Sequence, residues 1–154
     1  MSANPAPKPG IYDVPLRQML TYRLTRLNAK MNAQAIRVLG ENGGLSQTQW
    51  RVLVLIDYLG PTTPARVGRE IVMDKGQLSR AIKTMSARGL IRVEASESDH
   101  RAHIVSMTDE GREMFERARP AMRQRQLDFS EGLTAQEREV LFRAMDKLEQ
   151  LAER

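Results

Sequence analysis

The sequence predicts a mainly α-helical chain with one small β-hairpin: a winged helix-turn-helix with N- and C-terminal dimerisation helices. Three observations predict it. Residues 74–90, DKGQLSRAIKTMSARGL, form a short segment with helical periodicity, apolar on one side and basic or small on the other. Two β-branched stretches around the polar ESDHR follow it, which is the pattern of a hairpin. Both ends of the chain carry long amphipathic stretches with more apolar stripe than one small domain needs.

Composition bounds the rest. The 154 residues suit one domain, with 24 Lys and Arg against 19 Asp and Glu and a net charge of +5. That balance permits an anionic partner such as nucleic acid. There is no cysteine, which excludes disulfides, thiol redox sensing, thiolate nucleophiles and Cys-ligated zinc. No apolar run approaches the roughly 18 residues of a membrane span. The start, MSANPAPKPG, has no hydrophobic core of a signal peptide. The expectation is a soluble, cytoplasmic protein without membrane association.

In chain order, residues 1–13 read as a flexible, Pro-rich arm, and 14–154 as a single domain. Pro15 suits a first helical turn, and Leu16, Leu20, Leu24, Leu27, Met31 and Val38 then mark a helix running to about Leu39, before Gly40. Such a long stripe must bury itself, and a second subunit is a candidate. Ser46 and Gln49 make a capping-box pattern ahead of Trp50, Leu53, Val54, Ile56 and Leu59. Thr63-Pro64 opens a short helix with Val67 and Ile71 inward, and Met73-Asp74 turns into the next. Two short helices joined by a tight turn make a helix-turn-helix, although this turn lacks a central glycine.

In the second of these helices Leu78, Ala81, Ile82 and Met85 share one face. Gly76, Arg80, Lys83 and Ala87 lie opposite, with Ser79 on the flank. Asp74 is the expected N-cap, with Gln77 completing a capping box, and Gly89 ends the helix. The hairpin strands are Leu90 to Ala95 and His103 to Met107. Thr108 starts a helix in which Pro120 should cause a kink or an interruption. Thr134 and Glu137 cap a last amphipathic helix carrying Val140, Leu141, Ala144, Met145, Leu148 and Leu151.

This order, with LSQTQWRVLVLIDYLG, DKGQLSRAIKTMSARGLI and ESDHRAHIVSMTDEGREMF, resembles the MarR family of winged helix-turn-helix transcription regulators over roughly residues 14–152. The Asp99-His100-Arg101 element between an RGLI strand and a Thr108–Gly111 helix start carries much of the likeness. The resemblance implies a homodimer held by helices at about 14–39 and 109–152, around a winged helix-turn-helix at about 46–108. It also implies a recognition helix in the major groove, a wing in the minor groove and, in many members, a small aromatic acid or phenol as effector.

The candidate DNA contacts are Thr48, Thr63, Lys75, Gly76, Gln77, Ser79, Arg80, Lys83, Thr84, His100 and Arg101. The early ones sit at helix N-termini, where free N–H groups and the dipole favour phosphate. Gln77 could pair with adenine or serve its cap, and Arg80 could read guanine or clamp a phosphate. Arg101 suits a narrow, electronegative minor groove. Asp99, an anion, orients the wing arginine by family analogy, and is equally a hairpin-turn residue. Arg17, Tyr22, Arg23, Trp50 and Arg51 are candidates for an effector pocket, since a carboxylate needs a cation and a ring needs apolar walls. Trp50 reads first as core, and the others as surface or core edge.

The function expected is a sequence-specific, homodimeric DNA-binding regulator: a repressor on a pseudo-palindromic operator, released by a small aromatic or acidic ligand. The alternative is a winged-helix protein-interaction module without specific DNA binding. No cofactor or metal is expected, since the two histidines, His100 and His103, lack a third ligand. No catalytic triad, metal motif or phosphate loop points to an enzyme.

Overall fold

A computed structural model describes residues 14–95 and 103–153. The order is a 3-10 turn at Leu16–Gln18, α1 Leu20–Glu41, α2 Gln47–Leu59, α3 Pro64–Glu70, α4 Lys75–Ala87, β1 Ile91–Ala95, β2 His103–Met107, α5 Asp109–Glu131 and α6 Ala135–Ala152. The helix-turn-helix, the hairpin and the long terminal helices stand where the sequence puts them. The arm at 1–13 and the wing-tip residues Asp99, His100 and Arg101 lie outside the described residues.

Side chains set the helix boundaries. Ser46 and Gln49 form the full reciprocal capping box at α2, and Thr134 and Glu137 form it at α6. Thr63 caps α3 with Pro64 in the first turn, and Thr108 caps α5. Asp74 caps α4 by accepting from the Gln77 N–H at 2.9 Å.

Four expectations are corrected. The first helix is two pieces, because Met19 takes an extended conformation (φ −70°, ψ 123°) between the 3-10 turn and α1. No residue of the turn is buried, so nothing holds it to an α pitch. At its other end α1 runs past Gly40 to Glu41, where the Asn42 side chain donates to the Val38 carbonyl. Pro120 does not interrupt α5. It sits on the exposed face, where water can serve the Glu116 carbonyl that the missing N–H leaves unpaired. At α4 only half of the expected capping box forms: Asp74 caps, but the Gln77 side chain does not reach back.

β1 and β2 pair antiparallel, with Ile91 opposite Met107 and Ala95 opposite His103. Thr62, in the α2–α3 link, adds a bridge to β2 by exchanging both backbone hydrogen bonds with Val105. A two-stranded ribbon is marginal alone, and this bridge ties it to the helix-turn-helix.

The core is aliphatic and centres on Leu39, Val52, Leu53, Val67, Met85, Leu90 and Val105. Phe115 joins it and stacks on Trp50, with ring centroids 5.0 Å apart. The ends of the chain differ. Leu16, Leu20, Leu24 and Leu27 are exposed on the N-terminal stretch, as are Val140, Leu141, Phe142, Met145 and Leu151 on α6. No residue of α6 is buried.

Candidate nucleic-acid interface

The interface is built on α4. Its inner face is fixed: Leu78, Ile82 and Met85 are buried, and Ala81 is half-buried beside them. The tight junction with α3 depends on Gly68, where a Cβ would stand 2.8 Å from Leu78 Cδ2. This glycine lies inside α3, not in the turn, so no turn signal marks it in the sequence. The turn itself uses Val72 at φ +50°, a left-handed conformation unusual for a β-branched residue.

With one face locked, the other presents Lys75, Gly76, Gln77, Ser79, Arg80, Lys83 and Thr84, all exposed. These split into two flanks of one ridge. Gln77, Arg80 and Thr84 border a cleft of about 350 Å³ shared with Ser46, Thr48 and Gln49 of the α2 N-terminus. Lys75, Ser79 and Lys83 border a groove of about 1300 Å³ against α3 and the hairpin, with Arg69, Val93 and His103 among its walls. Thr48, 29 positions before Gln77, is thus brought to the recognition face. Gly76 leaves room for the Arg80 guanidinium, which lies 3.6 Å from where a glycine substitution would place its Cβ.

Arg69 was not singled out from sequence. Its spacing with Arg66 on the outward side of α3 was the available signal, and both are exposed. Thr63 is half-buried, and its hydroxyl accepts from the Arg66 N–H at 3.3 Å.

The five effector-pocket candidates are not gathered into the groove or the cleft. Arg17 lies in the 3-10 turn, and Tyr22 and Arg23 begin α1. Arg51 is exposed on α2, while Trp50 is half-buried on Phe115 as a core-edge residue. Among the described residues no group of three or more His, Cys, Asp or Glu could hold a metal, and no helix is long and apolar enough to cross a membrane.

Polar contacts tie α4 to the rest of the protein. Gln49 is 8% exposed, and its Oε1 accepts from the Ser46 N–H and from Arg88 Nη1, both at 2.9 Å. Gln47 turns the other way and donates to Asn32 Oδ1 of α1 at 2.6 Å. On the far side Asp57 of α2 pairs with Arg112 of α5. Arg125 of α5 donates to the Gln34 side chain and the Met31 carbonyl of α1, and burial lowers its pKa.

A family model described as MarR family matches residues 43–102, which take in α2, the helix-turn-helix and β1. A solved MarR-family regulator from Silicibacter pomeroyi is 27% identical, with a TM-score of 0.70, covering 89% of this chain and 92% of that one. Over these residues the chain is similar to the MarR family. A transcriptional regulator of M. tuberculosis, MOSR, solved in complex with DNA, is 25% identical, with a TM-score of 0.73 over 87% of this chain and 96% of that one. The uncharacterized HTH-type regulator YdgJ of Bacillus subtilis is 21% identical over 68% of this chain, and the match spans 64% of that protein's length.

Proposed function

We propose that the chain is a homodimeric, sequence-specific DNA-binding repressor whose α4 ridge enters the major groove of a pseudo-palindromic operator. The observation that carries this is the division of α4. Leu78, Ile82 and Met85 lock it to the body, while its whole polar and cationic side stands exposed between two hollows. A ridge of this form offers side chains to base edges and cations to the phosphates on either side. Gln77, whose side chain is not tied into a capping box, is free to pair with adenine. The M. tuberculosis relative bound to DNA supports the same reading.

The two-fold partner follows from the exposed stripes. Eighteen residues of helix that bury nothing are marginal alone in water, so α6 takes its stability from packing. The leucines of the N-terminal stretch and the apolar residues of α6 supply a surface for a second copy. Two recognition helices related by a two-fold would meet major grooves about 34 Å apart.

A small aromatic or acidic effector completes the proposal. The groove beside α4 suits it: Leu78, Ile82 and Val93 give apolar walls, and Arg69, Lys75 and Lys83 give cations. A ligand seated there prefers the DNA-free state and lowers operator affinity by that difference.

Sequencing genomic fragments retained by the purified protein, with and without a panel of aromatic acids, tests all parts. The expected result is an inverted repeat whose retention falls with at least one acid. Retention without a shared sequence would contradict specific recognition.

A further inference from the structure

We propose that Arg88 and Gln49 are positioning residues that set the angle of the recognition helix and so the specificity of DNA binding. The inference rests on the reading of α4 as the DNA-contacting helix. Arg88 is the C-cap of α4, with its own N–H bonded to the Thr84 carbonyl, so it moves with that helix. Its guanidinium reaches back to α2 and donates to Gln49 Oε1 at 2.9 Å. That oxygen also accepts from the Ser46 N–H, so it is held by the first turn of α2.

The other end of α4 is held by a different device, the close approach of Leu78 to Gly68 in α3. Leu78, Ile82 and Met85 hold the thirteen-residue helix to the core along its inner face, and the Arg88–Gln49 bond adds a polar tie from its C-terminal end to α2. Without that tie, α4 keeps its buried residues but loses the polar contact that sets its tilt against α2. The tie also has a continuation. Gln47, two residues before Gln49, bonds Asn32 of α1. The α2 N-terminus therefore joins the recognition helix to a helix that carries part of the exposed leucine stripe. A shift of α1 against its two-fold partner would reach α4 through these four side chains, Asn32, Gln47, Gln49 and Arg88.

Base readout depends on helix direction, whereas phosphate neutralisation depends mostly on the number of cations near the duplex. This gives the two roles of an arginine different signatures. As a positioning residue, Arg88 changes the ratio of operator to non-specific affinity and leaves the salt slope alone. As a phosphate contact, it changes the slope and lowers both affinities together.

The test uses the full-length protein, an operator duplex from the retained fragments and a scrambled duplex, with each titration run over a range of salt. Arg88→Met should lower the operator-to-scrambled ratio about tenfold with an unchanged slope. Gln49→Leu, which removes the acceptor without removing a charge, should lower the ratio similarly. The double variant should lose little more than either one, because both break the same bond. Gln49→Glu keeps the acceptor and should hold the wild-type ratio. Circular dichroism at the binding temperature selects variants that are folded, and Gln49→Leu serves if Arg88→Met is not.

A slope reduced by about one per removed arginine with an unchanged ratio would make Arg88 a phosphate contact and overturn the proposal. An unchanged ratio in both single variants, or full additivity in the double one, would overturn it as well. Failure of the wild type to prefer the operator would instead refute the reading of α4 itself.

Discussion

The α-carbon of Gly111 lies against the Leu90 carbonyl, so close that a Cβ there would stand 2.0 Å from the oxygen. Thr108 completes the junction. Its N–H donates to that same carbonyl, its hydroxyl donates to the Gly89 carbonyl, and its oxygen accepts from the Gly111 N–H. The first turn of α5 is thereby pressed onto the end of the recognition helix and the start of the wing. Gly111→Ala must push these backbones apart and should destabilise the protein by about 3 kcal/mol or more. Gly40→Ala, inside α1 with nothing within 4 Å of the new methyl, should instead stabilise by about 0.5–1 kcal/mol. Denaturant melts of both variants check the pair, and equal effects would contradict the account of Gly111.

Val72 holds a positive φ at 92% exposure, so its side chain gains little packing for a strained backbone. Val72→Asn relieves a left-handed conformation that costs a β-branched residue about 1–2 kcal/mol. The melting temperature should rise by about 2–4 °C. A fall would mean that Val72 makes contacts in the assembled protein that outweigh the strain.

The proposed dimer uses the exposed apolar residues of α6 as its contact surface. Leu141→Glu, alone or with Met145→Glu, should shift the protein from dimer to monomer in analytical ultracentrifugation and reduce its helicity. Each buried leucine or methionine contributes about 1.5–3 kcal/mol, and the new carboxylates would have to be desolvated as well. A dimer that survives both changes would place the two-fold contact elsewhere.

Glu137 gives α6 a pH dependence. The Thr134 N–H, and then its hydroxyl, hold the Glu137 carboxyl below the ordinary carboxylate range. A depressed carboxylate stabilises the folded state above its unfolded pKa, near about 4.3, and that contribution fades as pH falls through the folded value. Glu137→Gln should therefore be less helical than wild type near neutral pH, with the difference vanishing in acid. A difference that persists unchanged at low pH would argue that shape, not charge, makes this cap.

Elements with their own local chemistry were legible in the sequence. Ser46, Thr63, Asp74, Thr108 and Thr134 each cap a helix by accepting from the N–H three positions on, so these helix starts are readable locally. The inner and outer faces of α4 followed from periodicity. What escaped depends on distant partners. Gly68 matters because of Leu78, and Gly111 because of the Leu90 backbone, neither of which its neighbours reveal. Gln49 reads as a cap residue, and only the fold shows that Arg88, 39 positions on, uses the same oxygen. Pro120 leaves α5 continuous because it sits on the face that meets water, which its sequence neighbours do not reveal.

The central claim is that the outer side of α4 lies against DNA in both subunits. The most direct measurement is the salt dependence of operator affinity for wild type and for Arg80→Ala. The account predicts a steep linear fall of log affinity with log salt in the wild type, and a shallower slope, by about one per removed arginine, in the variant. A flat dependence in the wild type, or a slope and affinity untouched by Arg80→Ala, would contradict it.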